Sequence, residues 1–269
     1  MAANKVAVAS NKSTSQFRDP GRYAANAAFV AELAAPALDL LAAEAGESIL
    51  DLGCGDGVLS EKIAATGCRL TGVDASAEQI AAARARGLDA HVMDGRALDY
   101  VSRFEGIFSN AALHWMRPPE RVISGVFRAL RPGGRFVGEM GGAGNVATIR
   151  TAIYQALEER AIIAAAIDPW YFPSAAEYRG LLEEAGFMVS EIALHPRPTR
   201  LPGAFSDWLD TFAEDFIKAV PKRERAAFKR QVELALTHKL RGPEGIWTAD
   251  YVRLRFKALK PAAAGTARP

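Results

Sequence analysis

The sequence predicts an α/β fold, with a mostly parallel seven-stranded sheet, helices on both of its faces and a helical cap. Short apolar runs that suit buried strands alternate with helical patterns of about 10 to 15 residues between positions 48 and 141. Strands that alternate with helices form parallel sheets, because each connection crosses over one face of the sheet. After position 143 the alternation gives way to helix-rich segments, which predict the cap.

The regular part begins with two strand–helix pairs. A strand over 48–53 precedes a helix over 58–67, and a strand over 69–76 precedes a helix over 77–87. Ser76 can cap the second helix, and Gln79 three residues later completes a capping-box pattern. The remaining elements of this part are a strand near 88–93, a strand over 104–109, a helix near 119–130, a tight turn at 131–134 and a strand over 135–141. This order is typical of the Rossmann-like class.

The helix-rich part contains fewer strands. Its predicted elements are a helical stretch over 145–166, a helix over 175–185, a strand over 187–195, helical segments near 204–217 and 221–240, and a last strand near 249–259. Phe205, Trp208, Phe212 and Phe216 follow a helical spacing, which predicts that they form core. We expect loose ends at 1–16 and 261–269, and one domain over 17–260. Within it, 46–142 would bind a cofactor, and 145–172 and 201–245 would form the cap.

Charge and cysteine content exclude several classes of protein. The 33 Lys and Arg residues nearly balance the 31 Asp and Glu residues, so no basic face predicts a nucleic-acid partner. The longest aliphatic run, 161–167, is far shorter than the ~20 residues that span a bilayer, so we predict no membrane segment. Two cysteines cannot form a disulfide framework or a four-cysteine zinc site. We therefore expect a cytoplasmic monomer without a bound metal.

The motif DLGCGDG, at positions 51–57, lies between a predicted strand and a predicted helix. Glycines there allow a sharp turn and let a ligand lie against the main chain. Asp74 ends the next strand, where a carboxylate can bind the two hydroxyls of a ribose. Val58 replaces the third glycine of a dinucleotide motif, and Asp51 would repel a phosphate but attract an ammonium group. Adenosine joined to an amino acid, as in S-adenosylmethionine, therefore fits better than a dinucleotide.

These residues resemble a known family. ILDLGCGDG followed by GVDAS resembles the first two motifs of the class I S-adenosylmethionine-dependent methyltransferases, and LRPGGRFVGE (130–139) resembles their fifth-strand motif. FSNAALHWM (108–116) resembles their fourth-strand motif. The segment SNAALHW within it is similar to the corresponding sequence in the branch that contains trans-aconitate methyltransferase and malonyl-carrier-protein methyltransferase, which methylate carboxyl oxygens. The resemblance covers roughly 17–200 and implies the same fold and cofactor.

The resemblance also implies a set of cofactor contacts. Gly53, Cys54 and Gly55 would contact the methionine part, and Asp74 would bind the ribose hydroxyls. Ala75 would flank the adenine, Asp94 and Gly95 would meet its amino edge, and Asn110 would lie at the rim below the methyl group. From its residue type, Tyr23 would either lie across the sulfonium or anchor the first helix. Asp94 has the alternative of a turn-forming aspartate.

The acceptor is predicted to be a small-molecule or carrier-bound carboxylate. A carboxylate is ionised at pH 7 and needs no base, and the sequence contains no firmly placed base. Candidate ligands for its charge are Arg18, Arg22, Arg150 and Arg197. His114 follows the fourth strand and could instead serve as a base for a hydroxyl, amine or carbon acceptor, or pack beside Trp115. A dinucleotide-dependent oxidoreductase and a catalytically silent cofactor-binding protein are the rival classes.

Overall fold

The computed structural model of the protein describes residues 33–262. The predictions for Tyr23, Arg18 and Arg22 and for the loose end at 1–16 lie outside these residues, as does all but the first two residues of the loose end predicted at 261–269. Within 33–262, no helix combines the length and the apolar character needed to cross a bilayer.

The first half of the described chain alternates between strands and helices. Its elements are α1 (Ala35–Leu41), β1 (Ser48–Leu52), α2 (Val58–Ala64), β2 (Arg69–Asp74), α3 (Ala77–Ala85), β3 (Ala90–Val92), β4 (Phe104–Asn110), α4 (Pro119–Ala129) and β5 (Leu130–Gly141). Short 3-10 helices at Gly95–Ala97 and Leu113–Trp115 follow β3 and β4. Each predicted strand and helix of this half is present within a few residues of its expected bounds.

The second half is richer in helix. Its elements are α5 (Ala147–Glu158), α6 (Ala164–Ile167), α7 (Ala175–Glu184), β6 (Met188–Pro196), β7 (Thr199–Arg200), α8 (Phe205–Phe212), α9 (Glu214–Ala219), α10 (Arg225–Leu240), β8 (Thr248–Ala249) and β9 (Val252–Leu259). The helix expected over 204–217 is divided at Ala213, whose backbone leaves the helical region.

Seven strands form one sheet in the order β3-β2-β1-β4-β5-β9-β6. β1 to β5 pair in parallel, and β9 runs antiparallel to both of its neighbours. The last strand of the chain therefore lies between β5 and β6, and its first residues reach the edge where the parallel strands end. The mostly parallel seven-stranded sheet is confirmed.

Both faces of the sheet are covered by helices. Alternate residues of the central strands belong to two different buried clusters: Ile49 packs with Leu41 of α1 and Ile63 of α2, whereas Leu50 packs with Val126 of α4 and Leu182 of α7. Successive side chains of a strand point to opposite faces, so each central strand is buried on both faces of the sheet.

Two local predictions were wrong in detail. The turn expected at 131–134 is a bulge inside β5, because Phe104 pairs with Leu130 and Gly106 pairs with Arg135. Ser76 caps α3 by accepting the Gln79 N–H at 3.3 Å, but the reciprocal half of the capping box is missing. The buried Gln79 Oε1 makes no hydrogen bond to any described residue.

A second apolar core lies outside the sheet, in what we call the helical layer: α5, α6, α8, α9 and α10. The aromatic stripe predicted as core is largely buried there, with Phe205, Trp208 and Phe216 each less than 5% exposed. Trp115, which follows β4, and Phe172 pack against this cluster. The helical layer therefore meets the sheet at the carboxyl ends of its parallel strands.

Candidate active site

The loop after β1 leaves its main chain open at Gly55. This glycine has φ +56°, and a Cβ atom built there would meet no atom within 4 Å. Its N–H donates to Asp74 Oδ2 at 3.1 Å, which joins the loop to the end of β2. Open space beside a glycine main chain is what a ligand that lies against the loop requires.

Asp74 ends β2 and is half-buried. Its Oδ1 accepts the Ser76 N–H at 2.9 Å, while Oδ2 accepts from Gly55. Main-chain donors on both oxygens fix the direction of the carboxylate. A carboxylate oxygen can accept more than one hydrogen bond, so Asp74 can still bind two hydroxyl groups of a ligand.

Asp51 lies beneath the same loop with 2% of its surface exposed. Ser60 Oγ donates to its Oδ2 at 2.6 Å. Burial raises the pKa of Asp51, the Ser60 hydrogen bond lowers it and the nearby Asp74 charge raises it, with a net pKa of about 7. A buried carboxyl group beside a second carboxylate would ionise readily once a cation lies next to it. The site thus suits a ligand that carries an ammonium group.

Gly53 and Cys54 are explained in part by packing. A Cβ atom on Gly53 would come within 2.3 Å of Ala112 Cβ, so this residue must be glycine whether or not a ligand is bound. Cys54 is buried in a cluster with Ile80 and Ala83, and burial raises the pKa of its thiol. A buried thiol with a raised pKa is a poor nucleophile, so Cys54 is explained by packing.

The remaining predicted cofactor residues surround the same edge of the sheet. Ala75 is exposed directly after β2, and the half-buried Asn110 ends β4. The Arg96 guanidinium donates from Nε to both Asp94 oxygens, at 2.9 and 3.0 Å, and lowers the pKa of that carboxyl. Asp94 also caps the short helix that begins at Gly95. These contacts favour the turn-forming interpretation of Asp94, and its contact with adenine stays a prediction.

A cavity that is partly open to solvent lies between the ends of β4 and β5 and the helical layer. Most of its lining is aromatic or aliphatic. The lining residues are Ala111, His114, Trp115, Asn145, Val146, Trp170, Phe172, Trp208, Phe212, Tyr251 and Arg253. Ala111 immediately precedes Ala112, which abuts Gly53, so the cavity and the glycine loop share this segment as a wall.

His114 lies in this cavity with 6% of its surface exposed. Its Nδ1 accepts the Gly141 N–H at 3.4 Å, and its ring lies 5.7 Å from that of Phe172. A neutral imidazole whose Nδ1 accepts carries its proton on Nε2. The nitrogen that is not bonded to the main chain is therefore a hydrogen-bond donor, which suits binding an anion better than removing a proton.

Three polar residues of the cavity were missed from the sequence: Asn145, Tyr251 and Arg253. Arg253 is 5% exposed, and its guanidinium lies 4.6 Å from the centre of the Tyr251 ring. Asn145 Oδ1 accepts the Val252 N–H at 3.0 Å, so the side-chain Nδ2 of Asn145 points away from Val252. An arginine at the start of a strand at the carboxyl edge of the sheet is the signal that could have indicated this site.

The described arginines expected to bind a substrate have other partners. Arg150 Nε donates to Asp168 at 2.6 Å, and Arg197 Nη1 lies 2.8 Å from a Glu139 oxygen. Neither residue lines the cavity. Within 33–262, no cluster of His, Cys, Asp or Glu could hold a metal ion. The glycine loop and the acidic end of β2 are typical of Rossmann-like proteins that bind nucleosides, and the cavity adjoins them.

Comparison with known proteins identifies the family. A family model described as a methyltransferase domain matches residues 49–134. An uncharacterised methyltransferase of Schizosaccharomyces pombe is 40% identical over 250 residues, which cover 88% of this chain and 96% of that protein. A trans-aconitate 2-methyltransferase of Paracidovorax citrulli is 29% identical over 214 residues, 74% of this chain and 82% of that one. The chain belongs to the class I S-adenosylmethionine-dependent methyltransferases.

Solved structures share the fold. A S-adenosylmethionine-dependent methyltransferase of Methanosarcina mazei superposes with a TM-score of 0.56 at 18% identity, and the match covers 85% of this chain and 98% of that one. Phosphoethanolamine N-methyltransferase 2 of Haemonchus contortus, in complex with S-adenosyl-L-methionine, gives 0.56 at 18% identity over 86% of this chain and 52% of that one. The family implies S-adenosylmethionine as cofactor. Asp51 suits its ammonium group, the open main chain at Gly55 suits its methionine part, and Asp74 suits its ribose.

Proposed function

We propose that the protein transfers a methyl group from S-adenosylmethionine to the carboxylate of a small-molecule or carrier-bound acid. The observation that carries this proposal is the buried guanidinium of Arg253 in an otherwise mostly apolar cavity. An arginine in such surroundings favours an anionic ligand, because guanidinium pairs with a carboxylate by two parallel hydrogen bonds. The similarity to a trans-aconitate 2-methyltransferase supports the same chemistry.

The residues beside the cavity suit a reaction that needs no base. When bound, S-adenosylmethionine would supply an electrophilic sulfonium methyl group for in-line transfer: a carboxylate oxygen bonds to the methyl carbon as the carbon–sulfur bond breaks, S-adenosylhomocysteine leaves, and no proton is removed. Arg253 would bind and orient the acceptor, and His114 would donate a hydrogen bond from Nε2. Trp115 and Phe172 beside His114 would exclude water. Alignment of the two reactants is the main contribution that the protein makes to such a transfer.

We also propose that the segments 145–172 and 201–245 form a lid over the acceptor. Trp170 from the first segment and Trp208 from the second lie in the cavity wall, with ring centres 6.3 Å apart. Hydrogen exchange should slow in both segments when cofactor product and acceptor are bound together. Unchanged exchange in both would contradict the lid.

The test of the function is a transfer assay with labelled S-adenosylmethionine against carboxylic acids, phenols and amines. Label should appear in base-labile methyl esters of at least one acid. Asp74→Ala should weaken cofactor binding by about 2 kcal/mol or more, roughly 30-fold, through the loss of charge-assisted hydrogen bonds to the ribose, and should reduce transfer at low cofactor concentration. Asp89→Ala, an exposed aspartate before β3, is the control. Transfer to phenols or amines without any ester would overturn the proposal.

A further inference from the structure

We infer that Met116 is a positioning residue of the cofactor site. Its thioether lies between the glycine loop after β1 and the turn after β3, and it fixes how these two segments lie relative to each other. The methionine part of the cofactor is predicted at Gly53 and the adenine at Gly95, and Met116 contacts the main chain at both residues. The inference concerns the cofactor and does not depend on which acceptor receives the methyl group.

The first contact of Met116 is with the glycine loop. A Cβ atom built on Gly53 would lie 3.2 Å from Met116 Cε and still closer to Ala112 Cβ, so both side chains lie directly against the Gly53 main chain. The Gly53 N–H also donates to the Val73 carbonyl of β2 at 2.8 Å. The start of the loop is therefore held by β2 and by the segment that follows β4.

The second contact is with the turn after β3. A Cβ atom built on Gly95 would lie 2.7 Å from Met116 Sδ and 3.0 Å from Leu52 Cδ1. Gly95 is buried and begins the short 3-10 helix that Asp94 caps. The same thioether therefore packs against two segments that are far apart in the sequence.

Met116 is itself held where it can make both contacts. Its N–H donates to the Leu113 carbonyl at 3.0 Å, at the end of the 3-10 helix that follows β4. One residue later, the Arg117 carbonyl accepts from Arg96 Nη1 at 3.3 Å, and Arg96 is paired with Asp94. The turn after β3 is thus joined to this segment by a polar contact beside the apolar one.

A methionine suits this position because its side chain is unbranched and flexible and can fill an irregular gap. The two glycines provide no side chain of their own, so the space between their segments is filled from the segment after β4. Removal of the thioether would leave a gap into which the surroundings relax only in part. The loop and the turn could then shift relative to each other, which would disturb a ligand that contacts both.

The experiment compares a ligand that spans the two segments with one that does not. S-adenosylhomocysteine spans them, whereas adenosine lacks the amino-acid part that is predicted at Gly53. Calorimetry gives the Kd of the first, and displacement titration gives the Kd of the second. Met116→Ala should weaken S-adenosylhomocysteine at least about tenfold and adenosine less than about threefold, because only the spanning ligand depends on the separation of the segments.

Conservative and shortened side chains test the same point. Met116→Leu has a similar volume and should keep both Kd values within about threefold of wild type. Met116→Val keeps apolar bulk near the main chain but cannot reach both glycines, so it should give the pattern of Met116→Ala, and it takes the place of that variant if Met116→Ala does not fold. Met188→Ala, on the edge strand β6 with 56% of the residue exposed, is the matched control and should change neither Kd.

A double-mutant cycle tests the contact with Gly95 directly. Gly95→Ala alone should weaken S-adenosylhomocysteine, because the added methyl group must displace Met116 Sδ. In the Met116→Ala background the same substitution should cost at least about threefold less affinity, because the methyl group enters the space that the thioether has left. Equal losses in the two backgrounds would contradict the contact.

Denaturant titration establishes that each variant is folded before its Kd values are compared. Unchanged binding of S-adenosylhomocysteine by Met116→Ala, or an equal loss for this ligand and adenosine, would overturn the inference. None of these measurements needs an acceptor. A failure of carboxyl transfer would therefore leave the role of Met116 intact, and a failure of this role would leave the proposed function intact.

Discussion

The Asp168 carboxylate accepts the backbone N–H of Trp170 at 2.9 Å and forms an ion pair with Arg150. These contacts fix the main chain at Trp170, whose side chain lines the cavity. Asp168 Oδ2 also receives Arg150 Nε and the Tyr154 hydroxyl, each at 2.6 Å, and its side chain is 4% exposed. The loop that contains Trp170 and Phe172 is thereby fixed to α5. On its other side the Tyr171 N–H donates to the His114 carbonyl at 3.0 Å.

Asp168→Ala should raise the acceptor KM about tenfold or more while the cofactor Kd changes less than twofold. The reason is that a buried carboxylate that orients a loop is lost, while the glycine loop after β1 is untouched. Asp168→Asn keeps an oxygen for the Trp170 N–H and should recover part of the effect. The measurement is steady-state kinetics together with calorimetry of S-adenosylhomocysteine binding.

Glu183→Ala, which breaks an exposed ion pair with Arg179 on α7, is the control and should change neither constant. If Asp168→Ala weakened cofactor and acceptor equally, its effect would be a general loss of stability and not a loss of positioning.

Cofactor affinity should rise with pH between about 6 and 8. Asp51 must ionise to bind an ammonium group, and burial places its pKa at about 7 in the unliganded protein. Asp51→Asn should weaken binding and remove the pH dependence. Ser60→Ala removes the hydrogen bond that favours the ionised form, so it should shift the midpoint to higher pH. Calorimetry in buffers of different ionisation enthalpy checks the proton release.

The Asp51 carboxyl should make the folded protein less stable as pH rises, whereas it makes cofactor binding tighter. The unfolded chain loses this proton near the ordinary pKa of 3.8, whereas the folded protein keeps it up to about 7. Unfolding therefore releases a proton between these values, and the contribution of Asp51 to the free energy of unfolding falls as pH rises through that window. Denaturant titrations of wild-type protein and Asp51→Asn should diverge in slope between pH 4 and 7. Parallel curves would mean that Asp51 has an ordinary pKa.

Gly55→Ala and Gly87→Ala form a matched pair. Both glycines have positive φ, +56° and +83°, and a Cβ atom on either would meet nothing within 4 Å. Each substitution should therefore cost about 1 kcal/mol of stability through the left-handed backbone. Only Gly55→Ala should also reduce cofactor affinity, by tenfold or more, because its methyl group would occupy space beside the loop. Equal affinity in the two variants would remove Gly55 from the cofactor site.

His114→Ala should lower turnover less than tenfold, and the rate at saturating cofactor and acceptor should stay flat from about pH 6 to 8. A carboxylate with a pKa near 4 is ionised throughout that range, whereas a general base typically contributes about 100-fold or more. His114→Gln retains a donor and should be closer to wild type than His114→Ala. A large loss confined to turnover, with cofactor affinity preserved, would make His114 the base and favour a hydroxyl, amine or carbon acceptor.

The positions of the glycine loop and of Asp74 could be predicted from the sequence because the two lie close together along the chain. The glycine loop follows β1 directly, and Asp74 ends the next strand, so a local pattern fixes their relative positions. Parallel strands then bring both carboxyl ends to one edge of the sheet.

The acceptor half could not be predicted in the same way. Arg253 meets His114 in one cavity because β9 inserts between β5 and β6, and no local pattern gives the position of a last strand in a sheet. Arg150 and Arg197 were equally plausible by residue type. Their ion pairs with Asp168 and Glu139 depend on tertiary contacts that residue spacing does not reveal.

The position of β9 also has a consequence for how the protein forms during synthesis. The residues from β1 to β5 leave the ribosome long before β9, yet β9 must pair along its length with both β5 and β6. A nascent chain can thus complete the glycine loop while β5 still lacks its neighbour on one side. Tyr251 and Arg253 are synthesised with the final strand, so the segment that would bind the cofactor is complete before the chain contains the arginine that we propose binds the acceptor.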